Sequence, residues 1–262
     1  METYKIIDQL NLESESLENS TPQQMLAIAK ESYELALSVG YHNGIAKSLF
    51  LQGRAHLRLG NMQDSENLLL NALEKNKADL DLESEIFNAL GNVYVYLEIF
   101  DKAYDYYQRS LNLAIKINNR IVETGIFNNI GEIFRRLGDF KSALSYYQKA
   151  LETPNDSTDL KLSALPLFNL CETYLELDDL SNAENYAYKA LDVAKKYNDK
   201  LIESASISRL GLIERKRKNY DKAFSYLNDS LFIYEETKER FHIAEIYIEF
   251  SKIYMDIKNY EK

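Results

Sequence analysis

The residues that most often perform chemistry in proteins are scattered along this sequence. Its three histidines, His42, His56 and His242, show none of the spacings that bind a metal ion. Its single cysteine, Cys171, excludes an internal disulfide. The sequence contains no phosphate-binding glycine loop, nucleophile elbow or paired-cysteine motif. We therefore expect no catalytic site, no metal site and no cofactor within these residues.

Charge and composition restrict the class of partner. The 262 residues include 41 acidic and 31 basic side chains, a formal net charge of −10. This balance argues against a nucleic-acid partner, which needs a basic face, and against adsorption to an anionic membrane. No apolar run approaches the roughly 20 residues that span a bilayer, and the N-terminus lacks a signal-peptide pattern. We expect a cytoplasmic protein that binds neither nucleic acid nor membrane.

A period of about 40 residues organises a sequence that is poor in helix breakers. Glycine and proline number only 9 and 3, which favours an all-helical protein. A small residue recurs at spacings of 38, 40, 40, 40 and 40 residues, and a second small residue follows each of the first five after 12 residues. Small side chains at both places let two antiparallel helices approach closely. The first set is Gly53, Gly91, Gly131, Cys171, Gly211 and Ser251, and the second is Ser65, Ala103, Ala143, Ala183 and Ala223.

These segments resemble the tetratricopeptide repeat. The resemblance is carried by the runs LGNVYVYLEIFDKAYDYYQRSL, IGEIFRRLGDFKSALSYYQKAL and LGLIERKRKNYDKAFSYLNDSL, and it covers roughly residues 22–262. It implies an all-α fold, a right-handed superhelical solenoid of antiparallel helix pairs with about six repeats. The period exceeds the commoner value of about 34 residues. It is similar to that of bacterial peptide-responsive regulators and of sensory regions in bacterial signalling proteins.

The repeat predicts an N-terminal segment, residues 1–21, followed by a repeat array, residues 22–262. Ser20-Thr21-Pro22 reads as a helix start, with the proline at the first helical position, and that helix should end near Gly40. The repeats are expected near 22–42 (half), 43–79, 80–118, 119–157, 158–198, 199–238 and 239–262 (incomplete). The helix pairs are expected at about 43–59 with 62–76, 80–97 with 101–117, 120–137 with 140–152, 158–177 with 180–197 and 199–217 with 220–237, before a last helix at 239–257.

Short turns should join the two helices of each pair. Gly60 and Gly138 can take the left-handed conformation after a helix end, and the following Asn61 and Asp139 can cap the next helix. Other repeats replace this glycine, so the turn is not expected to be uniform. The replacements are Glu98, Asp178, Lys218 and Lys258.

Two irregularities interrupt the pattern. Pro166 lies inside the expected helix 158–177, where it either removes a backbone hydrogen bond and kinks the helix, or marks a helix that begins near Ala164. Pro154 falls where the family often has a proline between repeats.

The last five residues match Lys218 to Lys222 and stop one residue before the small residue is due. We interpret the chain as a fragment of a longer protein that can self-associate through the C-terminal repeat.

The resemblance places the binding surface on the concave side, which the first helix of each pair lines. A carboxamide can pair with a peptide backbone whatever the peptide's side chains, and an arginine fork matches a carboxylate. The alternative is an ordinary hydrated groove, and a solvated helix end is the favoured interpretation of the basic runs at Arg135 and Arg215. The expected contact residues are Arg54, Asn88, Asn92, Asn128, Asn129, Arg135, Asn169, Arg209 and Arg215.

We therefore expect a non-catalytic scaffold that binds a protein or a peptide. Family resemblance suggests the N-terminal sensory region of a larger bacterial signalling protein, with an output domain such as a diguanylate cyclase or histidine kinase beyond residue 262. The alternative is a free-standing receptor for a peptide pheromone. No helix-turn-helix precedes the repeats, and the N-terminal segment is too short for a separate helical bundle, so the first interpretation is preferred.

Overall fold

The computed structural model describes residues 2–17, 21–153 and 159–260, and these residues form thirteen α-helices and one short 3-10 helix. The predicted all-α fold is confirmed. The helices are α1 Glu2–Ser16, α2 Pro22–Ser38, α3 His42–Arg58, α4 Met62–Lys75, α5 Leu80–Tyr96, α6 Phe100–Ile117, α7 Arg120–Arg136, α8 Phe140–Glu152, the 3-10 helix Asp159–Ser163, α9 Ala164–Glu176, α10 Leu180–Tyr197, α11 Lys200–Lys216, α12 Tyr220–Thr237 and α13 Arg240–Tyr260.

The expected helix pairs agree closely with these bounds, and the largest difference concerns the helix predicted at 158–177. A 3-10 helix occupies Asp159–Ser163, and α9 begins at Ala164. Pro166 therefore lies in the first turn of α9, where a backbone N–H has no partner within the helix in any case. Of the two interpretations of Pro166, the later helix start is the right one. Ser20 and Pro154 lie outside the described residues.

The chain divides into two compact units, Met1–Asn129 and Ile130–Lys262. In the first unit α2 packs on α3, α3 on α4 and α5 on α6, and α3 also contacts α5. In the second unit α9 packs on α10, α10 on α11, α11 on α12 and α12 on α13, and α11 also contacts both α9 and α13. The first helices of successive repeats therefore lie side by side within each unit. We call the surface that they form the first-helix face.

Helix α1 packs on α2 and α3 of the first unit. Its Ile7 is fully buried. Two buried hydroxyls of the unit also join it to α2: Ser32 Oγ donates to Asn11 Oδ1 at 2.7 Å, and Ser14 Oγ donates to the Met25 carbonyl at 2.9 Å. Most of the segment before residue 22 is thus part of the helical stack of this unit.

The two helices of a pair meet at the recurrent small residue. A Cβ atom added at Gly131 would lie 2.6 Å from the Tyr147 ring, and one added at Gly211 would lie 2.8 Å from the Leu227 side chain. At the equivalent place in another repeat, Cys171 is fully buried in a cluster with Ala187. The helices approach closely because one side of each contact is small, as the repeat predicts.

The turn inside each described helix pair has one backbone conformation, so the expectation of a non-uniform turn is wrong for these pairs. Lys258, where the repeat predicts the same turn, lies inside helix α13 instead. Gly138 has φ 76°, and the replacements Glu98 and Asp178 have φ 58° and 59°. After Asp178, the N–H of Asp179 donates to the Tyr174 carbonyl at 2.9 Å, as the corresponding N–H does in the other repeats. These closing hydrogen bonds hold the left-handed conformation against a steric cost of about 1–2 kcal/mol for a residue with a Cβ atom.

Capping by the residue after the turn depends on its type. Asp139 caps α8, because its carboxylate accepts a hydrogen bond from the Ser142 N–H at 3.1 Å. Asn61 makes no such bond, and its amide nitrogen instead lies 3.3 Å from Nδ1 of His56. The predicted cap is therefore confirmed for Asp139 and wrong for Asn61.

Candidate functional site

The first unit carries a cleft on its first-helix face, bounded by α3, α5 and the start of α7. Its volume is about 200 Å³. Arg54, Asn88 and Asn92, three of the predicted contact residues, line it beside the apolar side chains of Phe50 and Ile121. We call this the first-unit cleft.

An asparagine cluster forms one wall of the first-unit cleft. The Nδ2 group of Asn129 donates to Oδ1 of Asn88 at 3.1 Å and lies 3.3 Å from Oδ1 of Asn92. The hydroxyl of Tyr107 also donates to Asn92 Oδ1, at 2.7 Å. These bonds use the amide oxygens. Among the described residues, the Nδ2 groups of Asn88 and Asn92 donate no hydrogen bond, so both remain available to an acceptor in the cleft.

Arg54, which lines this cleft, and Lys47, which lies outside its lining, are both held by carboxylates. Lys47 Nζ lies 3.2 Å from Glu15 and 3.1 Å from Glu85, so it bridges α1 and α5. Arg54 Nη1 lies 3.6 Å from the same Glu15 carboxylate, and its guanidinium stands 5.3 Å from the centre of the Phe50 ring. Arg54 therefore enters the cleft as one part of an ion-pair cluster.

The second unit has its own cleft on the first-helix face, between α9, α11 and α13. Its volume is about 390 Å³. Four carboxylates and two cations line it, together with the apolar side chains of Leu175, Leu212 and Ile248. We call this the second-unit cleft. Its charged lining residues are Glu172, Glu176, Glu245, Glu249, Arg209 and Lys252.

Arg209, which lines the second-unit cleft, is paired with an acidic side chain. Its guanidinium forms an ion pair with Glu172 and stands 5.6 Å from the centre of the Phe168 ring. Burial alone would lower the pKa of Arg209, but the Glu172 carboxylate raises the pKa by more. The guanidinium therefore stays charged in a largely enclosed position.

Arg135 and Arg215 are not solvated helix ends. Their side chains are only 22% and 20% exposed. Arg135 binds Glu132 through two bonds of 2.8 and 2.9 Å and also pairs with Glu176 of α9. Arg215 lies 3.3 Å from Glu249 of α13. Each arginine thus links neighbouring first helices of the second unit.

The pairing with arginine also changes the pKa of the Glu132 carboxyl group. Burial would raise its pKa, but hydrogen bonds from Arg135 and Arg136 outweigh that effect and hold the pKa below its usual value. Burial also raises the pKa of the nearby Tyr147 phenol, with the negative charge of Glu132 adding to the effect.

The remaining predicted residues lie at different depths. Asn128 is buried, with 5% of its surface exposed, so it offers less to a partner than Asn129 does. Asn169 is half-buried on α9, and its backbone carbonyl accepts a hydrogen bond from Thr173 Oγ1 at 2.8 Å.

The expected contact residues did not include the acidic partners of the cations, chiefly Glu15, Glu172 and Glu249. The signal that could have found two of them is a basic residue and an acidic residue about one repeat apart on neighbouring first helices. Arg209 and Glu172 are 37 residues apart, and Arg215 and Glu249 follow the same pattern. Glu15 lies outside the repeat pattern and gave no such signal.

Within the described ranges, no set of three or more histidine, cysteine, aspartate or glutamate side chains has the geometry of a metal site. None of the helices there combines the length and apolar character that a membrane crossing requires. Burial raises the pKa of the Cys171 thiol to about 12, so the thiol is protonated at neutral pH.

Comparison with known proteins agrees with this architecture. A sequence profile described as tetratricopeptide repeat matches residues 82–156 and 162–236, together more than half of the chain. No curated protein matches the chain in sequence.

Several solved structures have a similar fold. BtubC (BKLC) from P. vanneervenii is 23% identical with a TM-score of 0.68, over 84% of this chain and 93% of that chain. NprR in complex with its cognate peptide NprX is 16% identical with a TM-score of 0.70, over 98% and 75%. A Rap protein complexed with Competence and Sporulation Factor is 15% identical with a TM-score of 0.70, over 94% and 78%. At these identities the likeness concerns the fold. The chain belongs to the tetratricopeptide repeat family.

Proposed function

We propose that this chain is a non-catalytic scaffold that binds an extended peptide or protein segment on the first-helix face of a unit. The observation that carries the proposal is the asparagine cluster of the first-unit cleft. There, Asn129 and Tyr107 occupy the amide oxygens of Asn88 and Asn92, and both Nδ2 groups are left without an acceptor among the described residues. Two fixed donors beside an apolar wall suit the carbonyl groups of an extended backbone.

The pairing of the cations changes the expected chemistry of the ligand. Arginines that are already bound to carboxylates are poor receptors for an acidic side chain, because a new anion would have to displace a nearby one. The second-unit cleft is lined by four carboxylates and only two cations, Arg209 and Lys252. The chain as a whole carries a net charge of −10. We therefore propose a neutral or basic segment as the ligand.

A peptide array of randomised eight-residue sequences tests the backbone-directed contact. Asn88→Leu combined with Asn92→Leu removes both donors at nearly constant side-chain size. Each lost hydrogen bond is worth about 0.5–1.5 kcal/mol, so we expect binding to weaken roughly 5- to 150-fold. The loss should extend across many sequences, because the contact is with the peptide backbone.

A matched control is Asn67→Leu, at an exposed asparagine of α4 outside both clefts. It should bind the array as the unchanged protein does. Binding that survives the double substitution, or that falls equally with the control, would contradict the proposal.

The regulatory context is a separate proposal. Two of the structures with a similar fold are complexes, NprR with its cognate peptide NprX and a Rap protein with Competence and Sporulation Factor. These likenesses support a peptide-responsive role in bacterial signalling, either as the sensory region of a larger protein or as a free-standing receptor. Reading the gene's frame past the codon for Lys262 separates the two. An adjoining output domain would favour the first, and a stop codon would favour the second.

A further inference from the structure

Helix α13 presents an apolar surface to solvent. Tyr247, Tyr254 and Met255 are 54%, 59% and 58% exposed, and Ser251 is exposed between them. With Ile248, also exposed, these residues follow the spacing of one side of a helix, at positions 247, 248, 251, 254 and 255. We call this surface the α13 face.

The corresponding surface of the preceding first helices is covered. The residues 40 and 80 positions before Tyr247 are Ile207 and Leu167, which are only 8% and 7% exposed. In those repeats the second helix of the pair packs over the first, α12 over α11 and α10 over α9. The α13 face therefore has the composition of a helix–helix contact.

The contacts in the other repeats indicate what kind of helix can pack on the α13 face. Where the small residue is glycine, the residue opposite, 16 positions later, is large. Where it is Cys171, the residue opposite is Ala187, and both are fully buried in one cluster. The combined size of the two facing side chains is thus limited. The large residues that meet a glycine are Leu69 at Gly53, Tyr107 at Gly91, Tyr147 at Gly131 and Leu227 at Gly211.

Ser251 is the residue at this place in α13, and it has a side chain of its own. By the same size limit, the helix that packs on the α13 face must carry a small residue opposite Ser251. We propose that this helix is α13 of a second copy of the chain, antiparallel to the first, with Ser251 packed against its own counterpart near a two-fold axis. The contact is then small against small, as between Cys171 and Ala187.

The rest of the face is self-complementary about Ser251. Aromatic residues lie four positions before and three after it, Tyr247 and Tyr254, and aliphatic residues lie three before and four after it, Ile248 and Met255. In an antiparallel pair, position +3 of one helix faces position −3 of the other. Tyr254 then packs on Ile248 of the second copy, and Met255 packs on its Tyr247. Aromatic meets aliphatic at all four flanking contacts.

Electrostatics permit this association despite the acidity of the chain. Over residues 240–258, α13 carries three basic and three acidic side chains, so the helix is close to neutral. Two copies therefore meet without the repulsion that a net charge of −10 would otherwise cause. The charged residues are Arg240, Lys252, Lys258, Glu245, Glu249 and Asp256.

Sedimentation velocity of the full chain across a range of concentrations tests the proposal. The unchanged protein should form a dimer. Ser251→Leu should weaken the dimer at least 10-fold, because two large side chains would meet at the axis, whereas Ser251→Ala should preserve it. Tyr247→Lys should also weaken it, and Phe232→Lys, at a 62% exposed residue of α12, is the matched control. None of these substitutions changes Ile248, which also lines the second-unit cleft.

Cross-linking of mixed variants tests the register. A short bis-maleimide should join Tyr247→Cys to Met255→Cys more efficiently than it joins either variant to itself. Cys171 is buried and its thiol pKa is raised to about 12, so it should contribute little background. A monomer at all concentrations, or a dimer indifferent to Ser251→Leu and Tyr247→Lys, would overturn the proposal. A monomer would leave the face to a different helix with a small residue opposite Ser251.

Discussion

Gly131 of α7 and Tyr147 of α8 lie so close that a Cβ atom on Gly131 would fall 2.6 Å from the tyrosine ring. Tyr147 is fully buried, so its ring has little room to retreat. In the same helix, a Cβ atom added at Gly125 meets no atom within 4 Å. One helix therefore contains a glycine that packing requires and a glycine that packing does not require.

The two glycines should respond in opposite ways to alanine. Gly125→Ala should raise the free energy of unfolding by about 0.5–1 kcal/mol, because alanine favours the helix. Gly131→Ala has the same helix preference, but overpacking against Tyr147 costs about 1–3 kcal/mol, so we expect a net loss. Urea unfolding followed by circular dichroism measures both. Two shifts of the same sign would contradict this account of α7.

The left-handed turn predicts a stabilising substitution at Glu98. This exposed residue has φ 58°, which is sterically costly for a residue with a Cβ atom. Glu98→Gly should therefore raise the free energy of unfolding by about 0.5–1 kcal/mol. Glu98→Ala is the control, because alanine keeps the Cβ atom and should bring no such gain. Thermal or urea unfolding distinguishes them, and equal effects of glycine and alanine would refute the backbone explanation.

The Glu132 pairing predicts a pH-dependent stability. Its pKa in the folded protein is held below the ordinary glutamate value by Arg135 and Arg136. A depressed carboxylate pKa contributes stability that is present above the unfolded pKa, about 4.3, and is lost as the pH falls through the folded pKa. Glu132→Gln should therefore lower the free energy of unfolding at pH 7 by about 1–2 kcal/mol.

The test of this pairing is the difference in unfolding free energy between Glu132→Gln and the unchanged protein, measured from pH 7 down to pH 3. The difference should shrink as the pH falls from the unfolded pKa, about 4.3, through the lower folded pKa, because the unchanged glutamate then also becomes neutral. Other carboxylates titrate in both proteins, and the subtraction removes them. A difference independent of pH would show that packing, and not charge, makes Glu132 important.

The sequence predicted the helices well because their signals are local and repeated. Small residues such as Gly131 and Ala143 mark where two helices meet, and their period places each pair along the chain. The conformation at Glu98 could not be predicted from its residue type, because the closing hydrogen bonds of the turn impose it. The packing of α1 also had no signal, since Ile7 lies outside the repeat.

The candidate site was predicted only in outline. The family resemblance placed Asn88 and Asn92 among the expected contact residues, and both line one cleft. Their cluster with Asn129 follows from the side-by-side packing of neighbouring first helices. The ion pairing of the expected arginines could not be predicted from their positions in the repeat. Whether Arg209 is free or paired depends on the carboxylates that the neighbouring repeat places beside it, and Glu172 decides the outcome.

The Arg209–Glu172 pair gives the last prediction. It links α11 to α9 in a position where the guanidinium is only 20% exposed. Removing one partner of a buried pair leaves an uncompensated charge, which costs about 3–5 kcal/mol when burial is complete. Because this pair is partly exposed, we expect Arg209→Met to lower the free energy of unfolding by a smaller amount, about 2 kcal/mol. Arg209→Met combined with Glu172→Gln should recover part of that loss, because no unpaired charge remains.

A double-mutant cycle on urea unfolding measures this coupling, with Lys252→Met as the control cation of the same cleft, 42% exposed. Lys252→Met should change the unfolding free energy by well under 1 kcal/mol, because exposed ion pairs contribute little. Additive effects of Arg209→Met and Glu172→Gln would mean that the two residues stabilise the unit independently. A coupling of 1 kcal/mol or more would instead show that the pair itself joins α9 and α11, two successive first helices that line the second-unit cleft.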